Sequence, residues 1–171
     1  VELTNKRINT GHISVSGNGA LMVISAPRSG LGNQHLGGVS IRPYGKSMET
    51  INSSTVVASR MKGEALSIAI HSQAGIGAVT HPDGDMVTLW RIAERQLIKV
   101  VEIENPRGVE LTSDMSSFVI SYGSTANLIK VPLATLELDK STIVESSYIS
   151  GSHIYNWSRD MTELFYPGPL V

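Results

Sequence analysis

Residues 66–103 read LSIAIHSQAGIGAVTHPDGDMVTLWRIAERQLIKVVEI, and their pattern decides the fold. Leu66, Ile68 and Ile70 alternate with Ser67 and Ala69, the period of two that sends successive side chains to opposite faces of a strand. Further apolar runs follow, and the breaks between them carry turn chemistry. Pro82-Asp83-Gly84 combines a fixed φ, a carboxylate that bonds its own backbone and a residue without Cβ. Ala93-Glu94-Arg95-Gln96 makes the next connection, too short and too closely flanked by strands to be a helix. The stretch therefore predicts four strands, at 66–70, 76–80, 86–91 and 97–103, joined as one antiparallel unit.

The same alternation, polar turn and second apolar run recur on either side. They read GHISVSGNGALMVIS from Gly11, GVELTSDMSSFVISYG from Gly108 and SHIYNWSRDMTELFYPG from Ser152. Aligned on Ser16, Ser72, Ser113 and Ser158, the units are spaced by 56, 41 and 45 residues. Two of these intervals match the ~40–45 residues of a propeller blade. The longer first interval holds Gly- and Ser-rich insertions at 29–38 and 52–59, expected as loops. The third unit predicts strands at 109–111, 118–121, 127–131 and 141–148, with Pro132 at the end of its third strand, where a missing donor does little harm.

The fourth unit stops after two expected strands, 153–155 and 163–166. Residues 1–7 would form an outer strand. The fold class expected is all-β, a partial β-propeller of four-stranded blades in a single domain spanning 1–171, with units at about 11–60, 61–104, 105–150 and 151–171. About three and a half blades are too few for a closed ring, which takes roughly four to eight. With Val1 in first place rather than methionine, the expectation is a fragment or processed product. Its open edges would then need the remaining blades or a protein partner.

Composition agrees with strands and removes several function classes. Of 171 residues 41% are hydrophobic, 17% charged and 5% aromatic, with 16 glycines and 22 serines. That is the make-up of short strands and tight turns rather than helices. A net charge of -1 provides no basic field for nucleic acid. No apolar run approaches the ~18 residues of a membrane-spanning helix. Absence of cysteine excludes disulfides, thiolate metal sites and cysteine nucleophiles. The chain also lacks the Gly-x-Ser-x-Gly of a serine hydrolase elbow. Gly30-Leu31-Gly32 lacks the third glycine and the helix of a phosphate loop.

Chemistry is sought instead among the histidines. His12, His35, His71, His81 and His153 show no metal-ligand spacing, and neither a metal nor a cofactor is expected. His12 stands four residues before its turn serine and His153 five before its own, each in the first strand of its unit. First strands line the centre of a propeller. A ligand-binding channel mouth is therefore expected from Arg7, His12, Glu64, Arg107 and His153, for an anion, a metal or a partner side chain. The one-residue offset would turn the two rings to opposite faces unless a bulge intervenes. His81, Asp83 and Asp85 read as a turn, and the repetition of aspartate at Asp114 and Asp160 supports that structural role. Trp90 and Trp157 read as packing residues between units.

The succession Arg7-Ile8-Asn9-Thr10-Gly11-His12-Ile13, His81-Pro82-Asp83-Gly84-Asp85 with Val87-Thr88-Leu89-Trp90, and Pro106-Arg107-Gly108-Val109 resembles the C-terminal half of a bacterial propeller family of unknown function. The resemblance implies a periplasmic protein exported by the twin-arginine route and encoded near imelysin-type iron-uptake lipoproteins and di-haem proteins. Two functions follow as expectations. One is a non-enzymatic binding or scaffold module linked to iron uptake. The alternative is a metal-assisted propeller enzyme, hydrolase- or lactonase-like or a redox accessory, working through the channel-mouth histidines.

Overall fold

A computed structural model describes residues 7–28, 30–31, 35–51, 55–147, 151 and 153–156. It is all-β, with three four-stranded antiparallel sheets, each a simple meander. The first sheet holds β1 (Ile13–Val15), β2 (Leu21–Ser25), β3 (Gly38–Arg42) and β4 (Glu49–Thr50). After a single helical turn, α1 (Thr55–Ala58), the second holds β5 (Ile68–His71), β6 (Ile76–His81), β7 (Met86–Arg91) and β8 (Gln96–Glu102). The third holds β9 (Val109–Leu111), β10 (Ser117–Tyr122), β11 (Asn127–Pro132) and β12 (Asp139–Val144). β1 lies against β5, and β5 against β9, so the first strands of the three sheets are neighbours.

Most expected strands are found within one or two residues. The main differences lie in the insertions and at the end. Gly38 opens β3 rather than closing a loop, because Val39 and Ile41 carry enough apolar surface to be fully buried. The expected loop at 52–59 contains α1. β12 ends at Val144, four residues early, and Tyr148 lies outside the described residues. Residues 153–156 are not part of a sheet among the described residues, although a strand was expected at 153–155. The expected strands at 1–7 and 163–166 fall wholly or almost wholly outside the described residues, as do Trp157, Ser158 and Asp160.

The turns behave as their residues dictate. Pro82–Gly84 forms a 3-10 turn closed by left-handed Asp85, whose backbone N–H donates to the Pro82 carbonyl. The Asp85 carboxylate accepts from the N–H of Asn105 at 2.8 Å. Asp114 accepts from the Thr112 hydroxyl at 2.6 Å and from both the N–H and the hydroxyl of Ser116, bonds that pull its carboxyl down to about 2.

Two apolar layers join the sheets. Met22, Ile24, Val39 and Ile41 of the first sheet pack with Ile70, Val79 and Trp90 of the second. From the other face of the second sheet, Ala78, Val87 and Leu89 pack with Val109, Leu111, Phe118 and Ile120 of the third. Gly77 shows how close the first layer is: a Cβ there would collide with the Met22 sulfur. Within the same layer, Trp90 Nε1 donates to Thr88 Oγ1 at 2.8 Å, which in turn contacts His81 Nε2 at 2.9 Å. The hydroxyl, with one hydrogen to give and two lone pairs to accept on, serves both rings. Complete burial, with the Arg60 charge adding to it, pushes His81 down to about 3.

Candidate functional site

Backbone hydrogen bonds show which residues are equivalent from sheet to sheet. Ile24 N–H donates to the His12 carbonyl, Thr80 to Ser67 and Ser121 to Gly108. His12, Ser67 and Gly108 therefore occupy one position, at the head of the first strand in each sheet. The turns that follow match as well. Ala20 N–H donates to Ser16 Oγ, Ala74 N–H to His71 Nδ1 and Ser117 N–H to Thr112 Oγ1. Structure thus aligns Ser16 with His71 and Thr112, one residue before the serines chosen from sequence in the second and third units. The turn that would place His153 on the same count lies outside the described residues.

The two rings meet. His12 and His153 lie edge to face with centroids 4.3 Å apart and planes at 63°. His153 Nδ1 is 3.5 Å from Ser67 Oγ, which accepts from Val109 N–H at 3.1 Å. The segment carrying His153 is seated on β9. A Cβ at Gly108 would run into Ile154 and the His153 carbonyl carbon, and Asn156 Nδ2 donates to the Leu111 carbonyl at 3.1 Å. Burial lowers the His153 pKa, the neighbouring His12 lowers it further, and Glu64 acts in the opposite direction.

Glu64, whose charge acts on His153, and Arg107 line one cavity of about 310 Å³ with Pro27, Leu66, Pro82 and Asp83, a lining that includes neither histidine. Arg107 is fixed through its backbone: its N–H donates to the Ser121 carbonyl at 2.8 Å and its carbonyl accepts from Thr80 Oγ1 at 2.7 Å. Arg7 is placed differently. Its carbonyl accepts from Arg28 N–H on the ladder that continues through Asn9 and Gly11, so it stands at the far end of that ladder from His12. Of the five residues expected at the site, His12 and His153 are in contact, Glu64 and Arg107 share a cavity, and Arg7 stands away from His12, its neighbour Ile8 paired with the cavity's Pro27. Among the described residues no group of three His, Asp or Glu side chains could hold a metal ion.

Sequence reading missed Ser67 and Asp83. Ser67 carried no signal beyond its place opposite Thr80 in the ladder. Asp83 was absorbed into the turn reading, yet it reaches back over Gly63. Gly63 has φ +62°, and a Cβ there would overlap the Asp83 carboxylate. Arg60 holds this arrangement in place. Its guanidinium donates to the Gly84 carbonyl at 2.9 Å and to both Glu102 oxygens at 2.7 and 2.6 Å.

His71 serves structure. His71 accepts from Ala74 N–H at 2.9 Å, which leaves Nε2 to donate to the Met115 carbonyl at 3.0 Å. It ties the turn of the second sheet to that of the third, as Gly17 N–H to Ser72 Oγ ties the first to the second.

Fold and site together define an all-β protein of repeated antiparallel sheets, with polar side chains gathered where the first strands begin. The chain belongs to the family described as a protein of unknown function, DUF1513, whose model matches residues 1–147. Comparison with curated proteins gives no match. Among solved structures, hydrazine synthase from Kuenenia stuttgartiensis is similar with a TM-score of 0.61 and 14% identity, over 84% of this chain and 37% of that one. A luciferin-regenerating enzyme is similar with a TM-score of 0.55 and 9% identity, over 83% of this chain and 48% of that one. Likeness at these identities is one of fold. The chain spans less than half the length of either neighbour.

Proposed function

We propose that the three sheets are blades of a β-propeller and that the chain is a binding module, with its ligand site at the head of the first strands. The observation that carries this reading is the meeting of His12 and His153, 141 positions apart in sequence, together with a cavity lined by Glu64 and Arg107. Blade packing is supported by the repeated use of one face: Ile70 and Leu111, at matching places in β5 and β9, are both buried against the preceding sheet. Matching Val15 in β1 is 63% exposed, as a blade missing its predecessor would be. A further blade fits there.

A thermal-shift screen of small charged ligands tests the binding reading. At least one ligand should raise the unfolding midpoint of the wild-type chain saturably and do so much less in His12→Ala, Glu64→Gln and Arg107→Ala. Stabilisation follows the logarithm of ligand concentration over Kd, so a tenfold loss of affinity is readable. Equal shifts in all variants would remove the site from these residues. Stoichiometric metal by elemental analysis together with turnover of a bound ester or lactone would favour the metal-assisted enzyme instead.

A further inference from the structure

The cavity lined by Glu64 and Arg107 carries charges without side-chain partners. Among the described residues Glu64, Asp83 and Arg107 form no side-chain hydrogen bond or ion pair, although all three line the same space of about 310 Å³. Opposite charges on a mobile surface normally find each other or water at little cost. Here none of the three stands within ion-pair distance of another. Thr80 and Ser121 fix the Arg107 backbone, and the turn at Pro82–Gly84 places the Asp83 carboxylate over the bare Cα of Gly63. Pro27, Pro82 and Leu66 supply apolar wall between the charged groups.

We propose that this cavity binds a small aliphatic α-amino acid, with its ammonium between Glu64 and Asp83 and its carboxylate on Arg107. The assignment rests on the binding reading above and adds both the ligand class and Asp83. Ligand pockets span about 300–1,000 Å³, so a cavity of this size takes a ligand at the small end of that range. Two carboxylates suit an ammonium with three donors, and the guanidinium suits a carboxylate with its planar fork. An apolar side chain of the ligand would rest on the prolines and Leu66. The zwitterion pairs with both ends at once, whereas an ion of one sign pairs with only one of them.

Isothermal titration of the full chain with L-leucine, and with its two single-charge counterparts 4-methylpentanoate and isoamylamine, tests this directly. Leucine should bind saturably, and each counterpart at least about tenfold more weakly, the loss of one charge-assisted hydrogen-bonded contact. Arg107→Ala should weaken leucine about tenfold and leave isoamylamine unchanged. Asp83→Asn should weaken leucine and leave 4-methylpentanoate unchanged. Glu64 and Asp83 are exposed and Arg107 is half-buried, and circular dichroism of each variant checks that it is folded. If 4-methylpentanoate matches leucine, the cavity is an anion site and the proposal is wrong. If isoamylamine matches leucine, it is a cation site and the proposal is equally wrong. If none of the three binds while another ligand in the thermal-shift screen does, the amino-acid assignment falls and the binding reading stands.

Discussion

The first and second sheets share one register and differ in what lies against it. Val23 faces Ser40 across the first sheet as Val79 faces Thr88 across the second, and Leu21 faces Arg42 as Gly77 faces Trp90. In the second sheet this face is sealed by the first, and it carries the buried chain of His81, Thr88 and Trp90. In the first sheet the same face is buried at Val23 and Ser40 but open at its first strand, where Ile13 and Val15 are 56% and 63% exposed. Equal alternation thus yields a core in one place and surface in another. Burial depends on the neighbour, and a strand's own pattern does not name that neighbour.

Substitutions at matched positions should separate the two sheets. Trp90→Ala removes a fully buried indole and should cost about 3–5 kcal/mol in urea unfolding, while Arg42→Ala at the matching place changes stability by about 0.5 kcal/mol or less. Similar losses at both would contradict the contrast. Ile70→Ala should cost about 2–5 kcal/mol and Ile13→Ala about 0.5 kcal/mol or less by the same measurement. A large loss for Ile13→Ala would mean that its face is covered in solution.

Smaller effects probe the polar chain. Thr88→Val keeps the volume and deprives His81 and Trp90 of their shared partner, for a loss of about 1–3 kcal/mol; Ser40→Ala, which removes a buried hydroxyl bonded to Thr50, should cost less. His81 also predicts a pH dependence. Its folded pKa of about 3 lies below the unfolded 6.5, so between these values the unfolded chain binds more protons than the folded one. Stability should therefore fall as pH drops from about 6.5 toward 3. Urea midpoints at pH 7 and pH 5 should differ in wild type and differ less in His81→Asn. At the site itself, His153 should titrate below the ordinary histidine range by NMR. His12→Ala should move that midpoint upward, since one of the two depressing causes is removed.

Much of the fold was legible because its signals are local. Alternation at 68–70, the glycine and aspartate turns, and the recurrence of one unit located most strands of the second and third sheets. Turn chemistry also identified Asp85 and Asp114 as structural, and each is held by backbone hydrogen bonds. β3 was hidden because a run rich in glycine and serine looks like a loop until Val39 and Ile41 meet the second sheet. The site was legible in part. Inner-strand histidines were found by their place in the repeat, but alignment on serine set the second and third units one residue out. The hydrogen bonds to Ser16, His71 and Thr112 show that side chains of different chemistry close the same turn.

Sequence by itself determined that this chain would form short antiparallel strands in repeated units, without cysteine chemistry and without a helix fit to cross a membrane. Those properties follow from period, turn residues and composition, each acting within a few positions. Tertiary structure decided which residues became neighbours across units. It brought His153 to His12, set Asp83 over Gly63 beside Glu64 and Arg107, and left Ile13 and Val15 uncovered. Such contacts depend on how whole sheets stack, and a one-residue change of register along any of them would turn the side chains concerned to the opposite face.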